Sequence, residues 1–160
     1  MNRASWLAAV LIFAGILTLS ASSAFGLAEA GLGVMAPGGD GEMLGKIVFV
    51  PNVTLSLFLL GVELDAWVSP GNNVFYVLPF LLLRVPLPIV TVYGGIGPRF
   101  WGSSTGFNLM PPVLELNFKV GAKASVMPLI SAYGEAVARF LPLQEQISGV
   151  SLVIGARIGF

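Results

Sequence analysis

The C-terminal stretch Val150-Ser-Leu-Val-Ile-Gly-Ala-Arg-Ile-Gly-Phe160 decides how the whole chain is read. One parity holds Val150, Leu152, Ile154, Ala156, Ile158 and Phe160. The other holds Ser151, Val153, Gly155, Arg157 and Gly159. Side chains of an extended strand alternate between its two faces, so this segment has one wholly apolar face and one that carries the charge. The same pattern recurs upstream. Leu114, Leu116, Phe118, Val120 and Ala122 alternate with Glu115, Asn117, Lys119, Gly121 and Lys123. Ile130, Ala132, Ala136, Ala138 and Phe140 are set against Ser131, Tyr133, Glu135, Val137 and Arg139.

The composition says where such strands belong. The chain has 160 residues, 56% hydrophobic and 10% charged, against roughly 45–50% and about 25% in soluble domains. Its mean hydropathy is +0.89. Eight basic and eight acidic side chains leave no net charge, which removes nucleic acid as a partner because no excess of cations is present to neutralise a phosphate backbone. The absence of Cys and His removes disulfides, thiol nucleophiles, imidazole bases and the usual zinc ligands. Neither a cofactor nor a metal is expected, and the chain does not read as an enzyme.

Residues 1–24 read as an export signal. Arg3 gives a positive start, Trp6 to Leu19 form an apolar run, and Ser20 to Ala24 are small, which places cleavage after Ala24 and the mature domain at 25–160. The alternative is a retained anchor helix over Trp6 to Ala24.

Eight strands are predicted: Gly26–Met35, Met43–Val50, Val53–Val68 with a bulge near Phe58 and Leu59, Val74–Arg84, Ile89–Arg99, Leu114–Lys123, Ile130–Phe140 and Val150–Phe160. Pro51-Asn52, Val85 to Pro88 and Ala124 to Pro128 read as short turns. They alternate with longer connections at Ala36–Glu42, Ser69–Asn73, Phe100–Pro112 and Leu141–Gly149. The fold class is therefore all-β: an eight-stranded antiparallel up-and-down barrel that spans a membrane, with both chain ends on the side of the short turns. A helical bundle with spans near Ile47–Leu64 and Val74–Ile96 is opposed by Pro51, Pro79, Pro86, Pro88 and Pro98, which fall in or beside those spans, each interior one a lost hydrogen bond in a medium without water. A secreted soluble barrel is a further alternative. Pro79 falls inside the fourth strand and is expected at a bulge or between ladder bonds.

With these features in hand, the mature chain resembles the small eight-stranded outer-membrane barrels of the OmpA and OmpX type. The resemblance rests on the export signal, the alternating strands and the final strand. It implies a bacterial outer-membrane, multi-pass and porin-like architecture, contact with membrane lipid including lipopolysaccharide, and recognition of Val150, Leu152, Ile154, Ala156, Ile158 and Phe160 by the outer-membrane assembly machinery. Barrel enzymes of that membrane, the palmitoyl-transferring and lipid-deacylating kinds, depend on a catalytic His that this chain lacks.

The lumen of so small a barrel is filled by side chains or holds one small ligand. On the assigned parity it receives Glu29, Glu63, Asp65, Glu115 and Glu135 with Arg99, Lys119, Lys123, Arg139 and Arg157. Matched charges predict an internal ion-pair network that locks the barrel; a gated path for ions is the functional alternative. Glu115 and Glu135 imitate a catalytic carboxylate pair but have no cleft to serve. Ser103, Ser104 and Thr105 read as loop residues, Asp40 and Glu42 are too few for calcium, and Gly94 to Gly97 lacks the following helix of a nucleotide loop. Phe25, Phe75, Tyr93, Phe100, Trp101, Phe107, Phe140 and Phe160 are expected in interfacial girdles, with Trp67, Phe100 and Trp101 at the outer rim. Strand four is apolar on both faces, so Leu78, Phe80 and Leu82 are candidates for contact with an apolar ligand or another subunit. Two functions follow: a structural outer-membrane barrel with a filled lumen and no catalysis, or a barrel that binds or passes a small lipid-like molecule.

Overall fold

The computed structural model describes residues 27–36, 45–103, 106–108, 115–127 and 129–160. The export signal at 1–24 and its cleavage site, Phe25, Asp40, Glu42, Ser104 and Thr105, and the side chain of Phe107 lie outside the described residues. The strands are β1 (Leu27–Met35), β2 (Val48–Leu57), β3 (Leu60–Val68), β4 (Val74–Pro86), β5 (Val90–Pro98), β6 (Phe100–Ser103), β7 (Gly106–Asn108), β8 (Leu116–Met127), β9 (Ile130–Leu141) and β10 (Gln146–Gly159).

All pairings are antiparallel, in the order β3-β2-β1-β10-β9-β8-β5-β4, and β3 pairs with β4 to close the sheet on itself. β5 and β6 face β4 in one register, Leu81 opposite Ile96 and Val77 opposite Phe100, so together they form a single stave interrupted at Arg99. β7 is a short return that pairs only with β6. Eight staves result. Closure leaves none of the eight staves as the edge of an open sheet.

Two predicted features exchange roles. Pro51-Asn52 is not a turn: Pro51 sits within β2 opposite Leu32, and Asn52 opposite Gly31 on one side and Asp65 on the other. Phe58 and Leu59 do not form a bulge. Leu57 pairs with Leu60, so the two residues between them are the hairpin connection. The parity slip visible in the sequence marks a chain reversal, and the strand count stays at eight. The connection from β9 to β10 is also shorter than predicted, since β10 begins at Gln146 and a single 3-10 turn at Pro142–Gln144 precedes it.

Pro79 lies in no bulge. It pairs with Leu64 of β3, while toward β5 and β6 the ladder lapses between Val77–Phe100 and Leu81–Ile96 with the register kept. Pro79, which has no N–H to donate, and Pro98 both fall in that gap. Gly97 lets the strands close there: a Cβ at this position would lie 1.8 Å from the Pro79 carbonyl oxygen.

The alternation of side chains now has a direction. Leu32, Leu55, Val62, Leu81, Leu83, Ile96, Val120, Leu152, Ile154 and Ile158 project outward and are exposed. The final strand is extended, and the Phe160 N–H donates to the Ala28 carbonyl at 3.0 Å, which ties the chain terminus to β1. Every charged side chain of the described strands points the other way and is buried or half-buried. The hairpins at Phe58–Leu59, Leu87–Ile89 and before Ile130 lie at one end, called the turn end. The described connections at 69–73 and 142–145 lie at the other, the loop end, together with Ala36, Gly45 to Ile47 and the end of β6 at Ser103.

Candidate functional site: the ion-pair network in the lumen

Inward-facing positions of β3, β8, β9 and β10 bring five charges to the middle of the barrel. The Lys119 ammonium reaches Glu63 Oε1 at 2.6 Å and Glu135 Oε1 at 3.1 Å, and contacts Asp65 Oδ2; all four side chains are wholly buried. Arg157 lies beside it, with Nη1 2.8 Å from Glu63 Oε2 and Nη2 3.2 Å from Glu135 Oε2. Thr54 donates to Glu63 Oε2 at 2.6 Å and Tyr93 to Glu135 Oε2 at 3.0 Å, so both carboxylates also accept neutral hydrogen bonds. Charges removed from water are tolerated when paired and hydrogen-bonded in this way.

A second group sits toward the turn end. Glu29 Oε1 accepts from Arg84 Nη2 at 3.2 Å and from the Lys123 ammonium, and Arg157 Nη1 lies 3.9 Å from Glu29 Oε2, so Arg157 joins the two groups. Arg84 also donates to Ser56. Together the two groups hold four acids, Glu29, Glu63, Asp65 and Glu135, against four bases, Arg84, Lys119, Lys123 and Arg157. A third group lies at the loop end, where Glu115 is 3.7 Å from Arg99 and 3.8 Å from Arg139. Glu115 and Glu135 therefore belong to different layers, each facing cations.

Rings and small residues complete the packing. The Arg157 guanidinium stacks 4.3 Å from the Tyr133 ring and 5.3 Å from that of Tyr93, and the Lys119 ammonium lies 4.3 Å from the Phe80 ring. Asn52 donates to the Tyr133 hydroxyl at 2.7 Å. Gly31 makes room for this wall: a Cβ there would lie 2.5 Å from Asn52 Oδ1 and 2.7 Å from Arg157 Cγ. Toward the loop end Met35, Val48, Val50, Trp67, Val137 and Val153 are buried with Leu78, Phe80 and Leu82 in one apolar cluster.

Leu78, Phe80 and Leu82 are thus lumen residues, 0–1% exposed, and no second subunit can reach them. The outward face of β4 is formed by Leu81, Leu83 and Val85. Tyr93 and Trp67 are likewise inside the barrel and belong to no lipid-facing girdle. Phe49, Phe75, Phe100, Phe118 and Phe140 share the outward parity near the loop end, with Phe118 and Phe140 in edge contact at 6.1 Å between ring centroids.

Sequence reasoning missed Arg84, although it follows Leu78, Phe80 and Leu82 on one parity and so marks that face as the lumen. It also missed Asn52, Thr54 and Ser56, hidden by reading Pro51-Asn52 as a turn. Carboxylate oxygens of Glu63, Asp65 and Glu135 lie within 4.8 Å of one another, the spacing of a cation site. Lys119 places an ammonium among them and acts as the internal counter-ion.

The architecture is that of a small, closed antiparallel barrel of eight staves. Among solved structures the crystal structure of Neisserial surface protein A (NspA) is similar, at a TM-score of 0.47 and 12% identity over 84% of this chain and 96% of that one. No protein-family model and no curated protein matches the sequence.

Proposed function

We propose that the chain is a structural protein of the bacterial outer membrane: a barrel whose lumen is sealed by its own side chains and which carries out no catalysis. The observation that carries this reading is the network around Lys119 and Arg157, which links four staves across the lumen at 2.6–3.2 Å. Side chains that meet across the lumen at this level oppose a continuous water column, and the buried apolar cluster beside them supports the same reading. The outward faces of the staves suit acyl chains, and the leader at 1–24 suits export. The final strand, with Phe160 at its end, suits recognition by the assembly machinery.

The test has two parts. Protein extracted from membranes should migrate as a compact form on an unboiled gel and should give a β-rich circular dichroism spectrum; a helical spectrum overturns the barrel in the membrane. Reconstituted in a planar bilayer it should be electrically silent. Discrete conductance steps would mean an open path, and co-extraction of one apolar molecule in stoichiometric yield would assign the interior to a ligand.

A further inference from the structure

The three hairpins at the turn end of the barrel are as apolar as its sides. Leu57 to Leu60, Val85 to Val90 and Val126 to Ile130 carry no charged or hydrogen-bonding side chain at any position. Phe58 is 91% exposed, Ile89 83% and Leu129 65%. The loop end differs in kind, with Lys46, Asn72, Asn73, Gln144 and Glu145 in its described connections. Chain reversals in water favour Gly, Asn, Asp and Ser, which satisfy local backbone groups and tolerate unusual dihedrals.

The backbone supplies a second, independent observation. Phe58 has φ +52, in the left-handed region that Gly or Asn ordinarily fills in a two-residue hairpin. A bulky aromatic is held in an unfavourable conformation with its ring projected away from the protein. In water both features cost free energy; in hydrocarbon the ring is favourably placed and offsets the strain.

We propose that the hairpins of the turn end are themselves lipid-embedded, with the tips Phe58–Leu59, Leu87–Ile89 and Leu129 covered by acyl chains. The proposal rests on the reading of the chain as a membrane barrel. Its occupant follows from continuity and height. The tips prolong, without a polar break, the outward faces of Leu55, Leu83 and Val120, which meet lipid in that reading. With a rise of about 3.4 Å per residue and a stave tilt near 40°, the climb is about 29 Å from Phe118 to Leu129, about 31 Å from Phe75 to Leu87 and about 23 Å from Phe49 to Phe58. A hydrocarbon core of about 25–30 Å whose boundary runs at the aromatic residues of the loop end therefore extends to the tips.

The chain has no Cys, which permits site-directed spin labelling without a background. Phe58→Cys and Ile89→Cys, each nitroxide-labelled and refolded in phosphatidylcholine–phosphatidylglycerol vesicles, are compared with Ile154→Cys on a stave and Leu143→Cys at the loop end. Accessibility to oxygen, which partitions into lipid, is measured against accessibility to a water-soluble nickel chelate. Positions 58 and 89 should show an oxygen-to-nickel ratio several-fold above that of 143 and close to that of 154. If 58 and 89 match 143 while 154 stays lipid-like, the tips are in water and the inference is overturned with the barrel intact. If 154 is also open to nickel, the membrane barrel itself fails. Loss of access to both reagents at 58 and 89, with spin–spin broadening, would assign the tips to a second copy and overturn the lipid occupant.

Discussion

Replacing Lys119 by Met removes the cation that bridges Glu63, Asp65 and Glu135 while keeping most of the side-chain volume. Glu63 and Glu135 retain Arg157, at 2.8 and 3.2 Å. Among the described ion pairs Asp65 has only Lys119. The variant therefore leaves a wholly buried Asp65 beside two other carboxylates. Removing one partner of a buried pair costs about 3–5 kcal/mol, a large share of a total stability of about 5–15 kcal/mol. Asp65→Asn, in the same background, removes the orphaned charge and should restore about half of the loss or more, so the two substitutions are non-additive. Urea unfolding of refolded protein in vesicles, followed by the mobility of unboiled samples, supplies both numbers. A loss below about 1 kcal/mol for Lys119→Met, or strict additivity in the double variant, refutes the view that the lumen is organised around this ammonium.

Three further outcomes are expected. Gly97→Ala drives a Cβ to 1.8 Å from a backbone oxygen that has little freedom to move, and should abolish the compact gel form; Gly94→Ala, whose nearest neighbour lies at 3.7 Å, should retain it. Ile154→Arg places a cation on the exposed outer face of β10 and should cost about 2–4 kcal/mol in vesicle unfolding if the position is near the bilayer midplane; no change would mean that this face does not meet lipid. Arg84→Leu removes the only charge of β4 and leaves both of its faces apolar. The Val62–Leu81 cross-strand pair, converted to cysteines, should then crosslink less completely than with Arg84 present, as the register of β4 becomes heterogeneous.

The parts of the fold that could be read from sequence are those where charge marks one parity. In β8, β9 and β10 the alternation of Lys119, Glu135 and Arg157 with apolar neighbours gives both the strand and its inward face. Where both parities are apolar or uncharged the reading fails in a specific way. Pro51-Asn52 has the composition of a solvated turn, yet Asn52 is spent on Tyr133 inside the lumen, so its polarity reports the interior and not a chain reversal. Phe58-Leu59 has the composition of a strand, yet it is a tip whose surroundings need no polar side chain. Turn preferences derived from water-exposed hairpins do not apply where the solvent is hydrocarbon. The network was legible as a matched set of charges on one face. Its layering was not, because which of Glu29, Glu115 and Glu135 meets which cation depends on the stagger of neighbouring staves.

An apolar exterior poses a problem that the lumen charges resolve. If the interior were greasy as well, sliding a stave by one residue would exchange two equivalent faces at little cost, and the barrel would close in several registers. With charge on one parity, and the barrel in the membrane as proposed, the same slip would carry Lys119, Glu135 or Arg157 into acyl chains, at a depth-dependent cost of up to about 2–4 kcal/mol for each cation. It would also break the contacts among Glu63, Asp65, Lys119, Glu135 and Arg157 together, since these come from four different staves. A buried ion pair adds little net stability over a well-packed apolar core, but it discriminates strongly against wrong pairings. On this argument the network specifies the inside of the staves that carry charge; β2, which carries none, turns Asn52, Thr54 and Ser56 to the lumen instead, and β4 relies on a single cation at its turn end.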